Sequence, residues 1–207
     1  MSPARPRSAG SVPGDLIRLF HHRWALPVLA ELAGGRSTGR FAALARRLGV
    51  ARGTLRQTLD ALGRLDLVGP NPGYGHPLRP EYVLTGRGRA IGDVSCRFTA
   101  AVRRAGLQGV AGRKWSMPVL AAVRRGGRRF SELEAALPGI TARALALALE
   151  ELERAGLVER RVTEERPPGA RYRATRRGGR LADVVDGLVT NASRSARGPT
   201  PARRRRP

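Results

Sequence analysis

The fold is decided by residues 129–158, which read RFSELEAALPGITARALALALEELERAGLV. A short helix is predicted over Ser131–Leu137, and Gly139 lies in the turn that follows it. Apolar residues then recur at helical spacing along a longer helix, at Leu145, Leu149 and Leu152. Two helices joined by a short glycine-containing turn form a helix-turn-helix, whose second helix fits the major groove of DNA.

The residues on either side of this stretch extend the motif. A helix is predicted over Trp115–Arg124, ahead of the helix-turn-helix. Two short extended segments follow the long helix, Leu157–Glu164 and Ala170–Ala174, with glycine and proline between them, as in a β-hairpin. A helix-turn-helix followed by such a hairpin is a winged helix.

Nearly the same pattern occurs about 90 residues earlier in the chain. His22–Ala30 matches Arg113–Ala121, and the offset between the copies changes only in Gly34–Arg40 and near Pro138, where loops are expected. The leucine stripe has its counterpart at Leu55, Leu59 and Leu62. Two copies are too few for a solenoid. The sequence therefore predicts a mainly α fold with small β-hairpins, consisting of two winged helix-turn-helix domains in tandem.

The start of the short helix in the second copy carries a predicted cap. The Ser131 hydroxyl can accept a hydrogen bond from the first turn, and Glu134, at the third position, completes a capping box. The first copy has Ala42 at the matching position, so it lacks this cap.

Composition favours a nucleic-acid partner. The 207 residues include 39 Lys and Arg against 16 Asp and Glu, a formal net charge of +23, and 41% of them are hydrophobic, which is enough for real cores. The single cysteine excludes an intrachain disulfide and a cysteine-rich zinc site. No apolar run approaches the ~20 residues that span a bilayer, and no signal-peptide core follows the first residues. We therefore expect a cytoplasmic protein with no membrane partner.

The repeat and the charge together predict the domain boundaries. Residues 1–14 are expected to form a flexible arm, 15–90 a divergent first winged-helix domain, 91–190 a linker helix with the second winged-helix domain, and 191–207 a disordered arginine-rich tail. The tail holds six arginines and the arm two, which leaves +15 of the +23 on residues 15–190. The folded part is therefore basic in its own right.

Several short motifs in the second copy point to a known family. They are GRKW at 112–115, PVL at 118–120, RFSEL at 129–133, LPGIT at 137–141 and GLVER at 156–160. With them, residues 112–187 resemble the HxlR-type winged helix-turn-helix regulators of bacteria, and residues 15–90 resemble them more weakly. The resemblance implies DNA-binding transcriptional control on the bacterial nucleoid. Members of that family pair as homodimers on inverted-repeat sites.

Two departures limit what the resemblance implies. Family members usually hold one such domain, whereas this chain resembles a covalently joined pair. Many also carry a cysteine some dozen residues before the tryptophan. Cys96 lies 19 residues ahead of Trp115, and the first copy has no cysteine, so redox sensing is not carried over. A single cysteine on a linker helix is more often a small packed apolar group.

The two recognition helices predict different contacts with DNA. The exposed face of the first offers Arg52, Thr54, Arg56 and Gln57. Arginine pairs with guanine and glutamine with adenine, so this face can specify sequence. The second offers Thr141 and Arg143, with Leu147 where the family commonly has a polar residue. We expect the first copy to read bases and the second to contribute mainly non-specific affinity.

The hairpins, or wings, are predicted to contact phosphates. The first wing carries Arg79, with His76 nearby. The arginines of the second are Arg160, Arg161, Arg166, Arg171 and Arg173. Phosphate contacts of this kind supply sequence-independent, salt-sensitive affinity.

Two apolar helix faces outside the winged helices suggest how the copies pair. One comprises Ile91, Val94, Phe98 and Val102, and the other comprises Leu181, Val184, Val185 and Leu188. We expect these faces to pack copy against copy, so that one chain presents two recognition helices about 34 Å apart, one turn of DNA. A homodimer of the two-domain chain is the alternative. No pocket for a small-molecule effector can be placed from the sequence.

The sequence fits an enzyme or a metal-binding protein less well. Three histidines and one cysteine offer no catalytic set, and the chain has no phosphate-binding glycine loop, so we expect neither an enzyme nor a bound metal or cofactor. Trp24 and Trp115 are expected in the core, and His21 and His22 at the surface or packed. The alternatives that stay open are an architectural, nucleoid-type protein that coats DNA without reading it, and an interaction module that has lost DNA binding.

Overall fold

The computed structural model describes residues 11–35, 39–71, 81–126, 129–163 and 169–196. The first half contains α1 (Gly14–Phe20), α2 (Ala25–Ala33), α3 (Phe41–Leu48), α4 (Arg52–Arg64), β1 (Val68–Pro70), β2 (Tyr82–Leu84) and α5 (Gly86–Arg104). The second contains α6 (Gln108–Ala111), α7 (Ser116–Arg124), α8 (Phe130–Ala136), α9 (Ala142–Arg154), β3 (Val158–Thr163), β4 (Gly169–Ala174) and α10 (Arg176–Ala196). The strands form two antiparallel hairpins, β1–β2 and β3–β4, so the predicted fold class is confirmed.

Each half contains a helix-turn-helix, α3–α4 or α8–α9, and the two turns differ in length. After α3, Gly49 immediately takes a left-handed conformation (φ 62°), which glycine adopts without a steric penalty. After α8, Leu137 ends the helix and the left-handed residue is Gly139 (φ 81°). The extra residue predicted near Pro138 therefore lies within the turn.

The cap predicted for α8 is wrong. The N-cap residue is Arg129, and its backbone N–H donates to a Glu132 carboxylate oxygen at 3.0 Å. Ser131 lies inside the helix, and Glu134 is not the third position. The reason is tertiary: Arg129 is extended because it forms a β-bridge with Arg171, so the helix can begin immediately after it.

The junction between each hairpin and the next long helix is built identically in the two halves. The Thr85 hydroxyl donates to the Asp66 carbonyl at 2.7 Å and accepts from the Gly88 N–H at 3.0 Å. Thr175 forms the same pair of bonds, at 2.8 and 3.0 Å. A Cβ on Gly88 or Gly178 would lie 1.9 Å from a backbone carbonyl oxygen, so both positions require glycine.

The two halves share one apolar core. Helices α5 and α10 occupy equivalent places after the two hairpins, and they pack against each other. Most residues of the predicted apolar faces are buried in the shared core: Ile91, Val94, Phe98 and Val102 on α5, and Leu181, Val185 and Leu188 on α10. Val184 is half-buried.

The structure corrects both predicted chain ends. Residues 11–14 do not belong to a flexible arm, because Val12 is buried and its N–H donates to the Ala136 carbonyl of the second half at 3.0 Å. Helix α1 then packs on α7. At the other end, α10 continues to Ala196, beyond the predicted start of the tail at residue 191. Residues 1–10 and 197–207 lie outside the described part of the chain.

Candidate nucleic-acid interface

Helix α4 divides cleanly into a buried and an exposed face. Leu55, Leu59 and Leu62 are buried against the core. The four predicted base- and phosphate-contacting residues, Arg52, Thr54, Arg56 and Gln57, are all exposed. They lie together on the first two turns of the helix, which is the part of a recognition helix that reaches base edges.

Two of these arginines are positioned by an aromatic ring. The guanidinium carbons of Arg52 and Arg56 lie 5.6 and 5.8 Å from the ring centroid of Phe41, the first residue of α3. A cation over a ring face is attracted by the ring quadrupole. Phe41 itself is buried, so the contact joins both helices of the motif and restricts the two side chains before any DNA is bound.

Helix α9 presents a different surface at the same place. Thr141 is its N-cap residue, and the hydroxyl accepts a hydrogen bond from the Ala144 N–H at 3.2 Å. Arg143 is exposed, and Leu147 is 51% exposed on the next turn. Farther along, Glu150 pairs with Arg154 at 2.7 Å. This face therefore offers an arginine and an apolar contact but few groups that hydrogen-bond to bases.

The second hairpin carries arginines on both faces. Arg161 lies opposite Arg171 in the register, and Glu159 lies opposite Arg173. Arg160, Arg161 and Arg173 are exposed, while Arg171 is half-buried. Arg79 and Arg166, the other predicted wing contacts, lie outside the described residues, as does His76.

Three further arginines join this hairpin in a groove that sequence reasoning missed. The second-half groove, as we call it, has a volume of about 880 Å³ and lies between β4, the end of α7 and the start of α10. Its charged lining residues are Arg124, Arg161, Arg171, Arg173, Arg176, Arg180 and Asp183. A signal existed, since residues 171–180 contain five arginines, but their convergence with Arg124 depends on the fold.

The cysteine, the two tryptophans and His21 make packing contacts within the fold. The Cys96 thiol donates to the Ala30 carbonyl at 3.4 Å, and Trp24 and Trp115 pack against the core. The His21 ring meets Trp115 edge-on at 5.6 Å; burial lowers the pKa of His21, and the Lys114 charge lowers it further. Within the described ranges, no group of His, Cys, Asp and Glu could hold a metal ion, and no helix has the length and apolarity needed to cross a membrane.

The sequence of this chain is similar to those of known transcriptional regulators. The chain is 40% identical over 77 residues to an uncharacterised HTH-type transcriptional regulator of Methanothermobacter thermautotrophicus. The matched residues make up 37% of this chain and 59% of that protein. A similar regulator from Bacillus subtilis, YvaP, is 37% identical over 76 residues, 37% of this chain and 70% of that one. One from Mycobacterium tuberculosis is 40% identical over 85 residues, 41% of this chain and 52% of that one.

The chain thus spans 52–70% of the length of these three relatives. A solved structure of a regulator described as belonging to the MarR family, from Enterococcus faecalis V583, is 33% identical over 48% of this chain and 92% of that one, with a TM-score of 0.39. The family model for the HxlR-like helix-turn-helix matches twice, at residues 19–103 and 110–197. The chain therefore belongs to the HxlR-like helix-turn-helix family of transcriptional regulators and carries two copies of its domain in tandem.

Proposed function

We propose that this chain is a sequence-specific regulator of transcription that binds double-stranded DNA with both winged-helix domains of one molecule. The observation that carries the proposal is the exposed face of α4, where Arg52, Thr54, Arg56 and Gln57 lie over a buried leucine stripe. Bidentate arginine and glutamine contacts are the usual means of reading guanine and adenine in the major groove.

Packing between the halves supports an intrachain pseudo-dimer. A two-fold dimer buries the same patch of each subunit against its partner's. Here the equivalent helices α5 and α10 pack on each other, and α1 of the first half packs on α7 of the second. In the reverse direction, Gly112 after α6 lies against Arg23, so closely that a Cβ would be 3.0 Å from the Arg23 Cγ.

With this arrangement we propose different tasks for the two domains. In the first, α4 reads bases through Arg56 and Gln57. In the second, Thr141, Arg143 and the wing arginines, including Arg166, hold the phosphate backbone. Arg79 in the wing of the first domain adds a further phosphate contact. Phosphate contacts fix register and orientation but carry no sequence information, so specificity comes mostly from the first half.

One observation favours a second candidate function. Leu147 is 51% exposed on α9, where a base-reading side chain would be expected, and with +23 overall the chain suits an architectural protein that coats DNA. Such a protein binds through phosphates and bends or covers DNA without discriminating its sequence.

Capture of bound genomic DNA, followed by titration of the recovered duplex against random duplex, separates the two functions. A specific regulator discriminates by about 10³-fold or more, whereas an architectural protein binds both duplexes alike. Light scattering on the free chain tests the pseudo-dimer. An obligate dimer in which each half pairs with the other chain would contradict it.

A further inference from the structure

We propose that the second-half groove binds the phosphates of DNA that flanks the base pairs contacted by α9, and that the matching groove among the described residues of the first half does not. The inference rests on the proposed DNA binding and deepens it. It predicts a footprint that extends farther on one side of the operator than on the other.

The charged side chains that line the second-half groove are mostly arginines. Three of its six arginines come from the hairpin, one from the end of α7 and two from the start of α10. Among the lining residues that the structure describes, the one acid is Asp183, which pairs with Arg124 at 3.0 Å. The groove is therefore suited to a ligand with several negative charges in a row.

The first half contains the same groove with the opposite character. That groove has a volume of about 540 Å³, and its lining includes Tyr82, Leu84 and Asp93, which match Tyr172, Ala174 and Asp183 of the second at an offset of 90. Its charged lining residues, within the described part of the first half, are Glu81, Arg89 and Asp93. The Arg89 guanidinium donates to the Leu84 carbonyl at 2.7 Å, so the lone arginine serves the fold. Two carboxylates would repel a phosphate backbone.

The fold does not explain three of the arginines of the second-half groove, Arg173, Arg176 and Arg180. No ion pair to Arg173, Arg176 or Arg180 is formed within the described part of the chain. Arg176 and Arg180 belong to the first turns of α10, and no acid lies in its first turn. Cations at the start of a helix oppose the helix dipole. These side chains therefore cost stability and remain available to an anion.

The position of the groove favours DNA over a small ligand. Arg161, Arg171 and Arg173 share one face of the hairpin, because Arg161 lies opposite Arg171 and Arg173 is two residues farther along β4. The same hairpin is the wing that would follow the duplex away from α9. The groove is only partly enclosed, so a phosphate of a continuous backbone can reach it from solvent.

The test uses the full-length chain and the genomic site recovered by DNA capture. Three duplexes are compared: one trimmed to the base pairs under the two recognition helices, and two extended by about one helical turn on one side or the other. We expect the wild type to gain affinity from only one of the two extensions.

The double variant Arg176→Ala/Arg180→Ala should lose that gain. On the favoured extended duplex, the slope of log K against log salt should fall by about 1.8, since each phosphate contact contributes about 0.9. On the trimmed duplex it should match the wild type. The matched control, Arg97→Ala/Arg103→Ala, removes two exposed arginines of α5 and should leave the gain from the extension intact.

Equal slopes for the groove variant and the control on the extended duplex would overturn the inference, while binding of the trimmed duplex would leave the proposed function standing. Failure of the wild type to bind any of the duplexes would overturn both. Calorimetry with inorganic tripolyphosphate covers the other source of this chemistry. Tight binding that the groove variant abolishes, with an unchanged slope on DNA, would overturn the inference in favour of a free phosphate ligand.

Discussion

The two halves of the chain share a backbone plan and differ on the surfaces that would meet DNA. At matching positions, α4 has Arg56 and Gln57 where α9 has Ala146 and Leu147. The N-caps show the opposite trend. Thr141 caps α9 through its hydroxyl, whereas the residue before α4, Ala51, offers no side-chain cap. The first half thus has more base-reading groups, and the second half has a better-capped helix.

Two domains joined in one chain can carry different residues on their DNA-facing surfaces. In a homodimer both recognition helices carry the same residues, so each must both read bases and hold the backbone. In one chain the two tasks can be divided. The described linings of the two grooves, with six arginines in the second half against one in the first, extend the same division from the recognition helices to the wings.

The largest effect we expect is that of salt on DNA affinity, to which cations of both halves contribute. If about six to ten phosphates are contacted, affinity should fall ~10³–10⁵-fold between about 50 and 200 mM salt, because each contact releases a counterion. Anisotropy titrations of one duplex across a salt series measure this. A loss below about tenfold would contradict the basic-face account for both halves.

The junction glycines test whether the two halves share a backbone. Gly88→Ala and Gly178→Ala should each destabilise the chain by about 3 kcal/mol, because the new Cβ overlaps a carbonyl oxygen at 1.9 Å. Chemical denaturation gives the free energies of unfolding. Gly63→Ala is the control, since its Cβ meets only an ordinary contact at 3.7 Å. A large loss at one glycine and none at the other would refute the shared construction.

Paired arginine variants test the division of tasks. Arg56→Ala should relax base preference at one position of the site by about 1–3 kcal/mol, because it removes a contact to a base edge. Arg143→Ala should weaken all sequences alike, because it removes a phosphate contact. Binding to a library of single-base variants of the recovered duplex distinguishes these outcomes. The reverse pattern would show that the roles of the two halves are exchanged.

The smallest effect concerns the helix caps. Thr141→Ala should destabilise the chain by about 1 kcal/mol because the Ala144 N–H loses its acceptor, and Ala51→Thr should stabilise it by a similar or smaller amount. Thermal and chemical unfolding both report these changes. Thr54→Ala, an exposed residue within α4, is the control and should change stability by less than about 0.5 kcal/mol. A chain whose stability is unchanged by both Thr141→Ala and Ala51→Thr would contradict the cap difference between the halves.

Local pattern was enough to predict most of the fold. The leucine stripes, the glycine turns and the constant offset of about 90 placed both helix-turn-helix motifs and both hairpins, because helical periodicity and turn chemistry act over a few residues. The errors share one cause. The α8 cap depends on the Arg129–Arg171 bridge, and the burial of Val12 depends on Ala136 of the other half. In both contacts the partner residue is distant in the sequence, so local pattern does not reveal it.

The candidate site was predicted only in part for the same reason. The exposed residues of α4 follow from the helical period, since they lie opposite Leu55 and Leu59. The groove does not, because it unites arginines of α7, the hairpin and α10 that are up to 56 positions apart in the chain, from Arg124 to Arg180. The arginine-dense run 171–180 marked its location without revealing its shape.

The distance between the two recognition helices is the direct test of the intrachain pseudo-dimer. Spin labels at Gln57→Cys and Leu147→Cys, in a chain that also carries Cys96→Ser and is diluted with unlabelled protein, report the separation within one molecule by pulsed dipolar spectroscopy. We predict a single narrow distribution near 34 Å, one turn of DNA, with or without duplex. A broad distribution, or one centred far from that distance, would contradict an intrachain pair that grips adjacent turns.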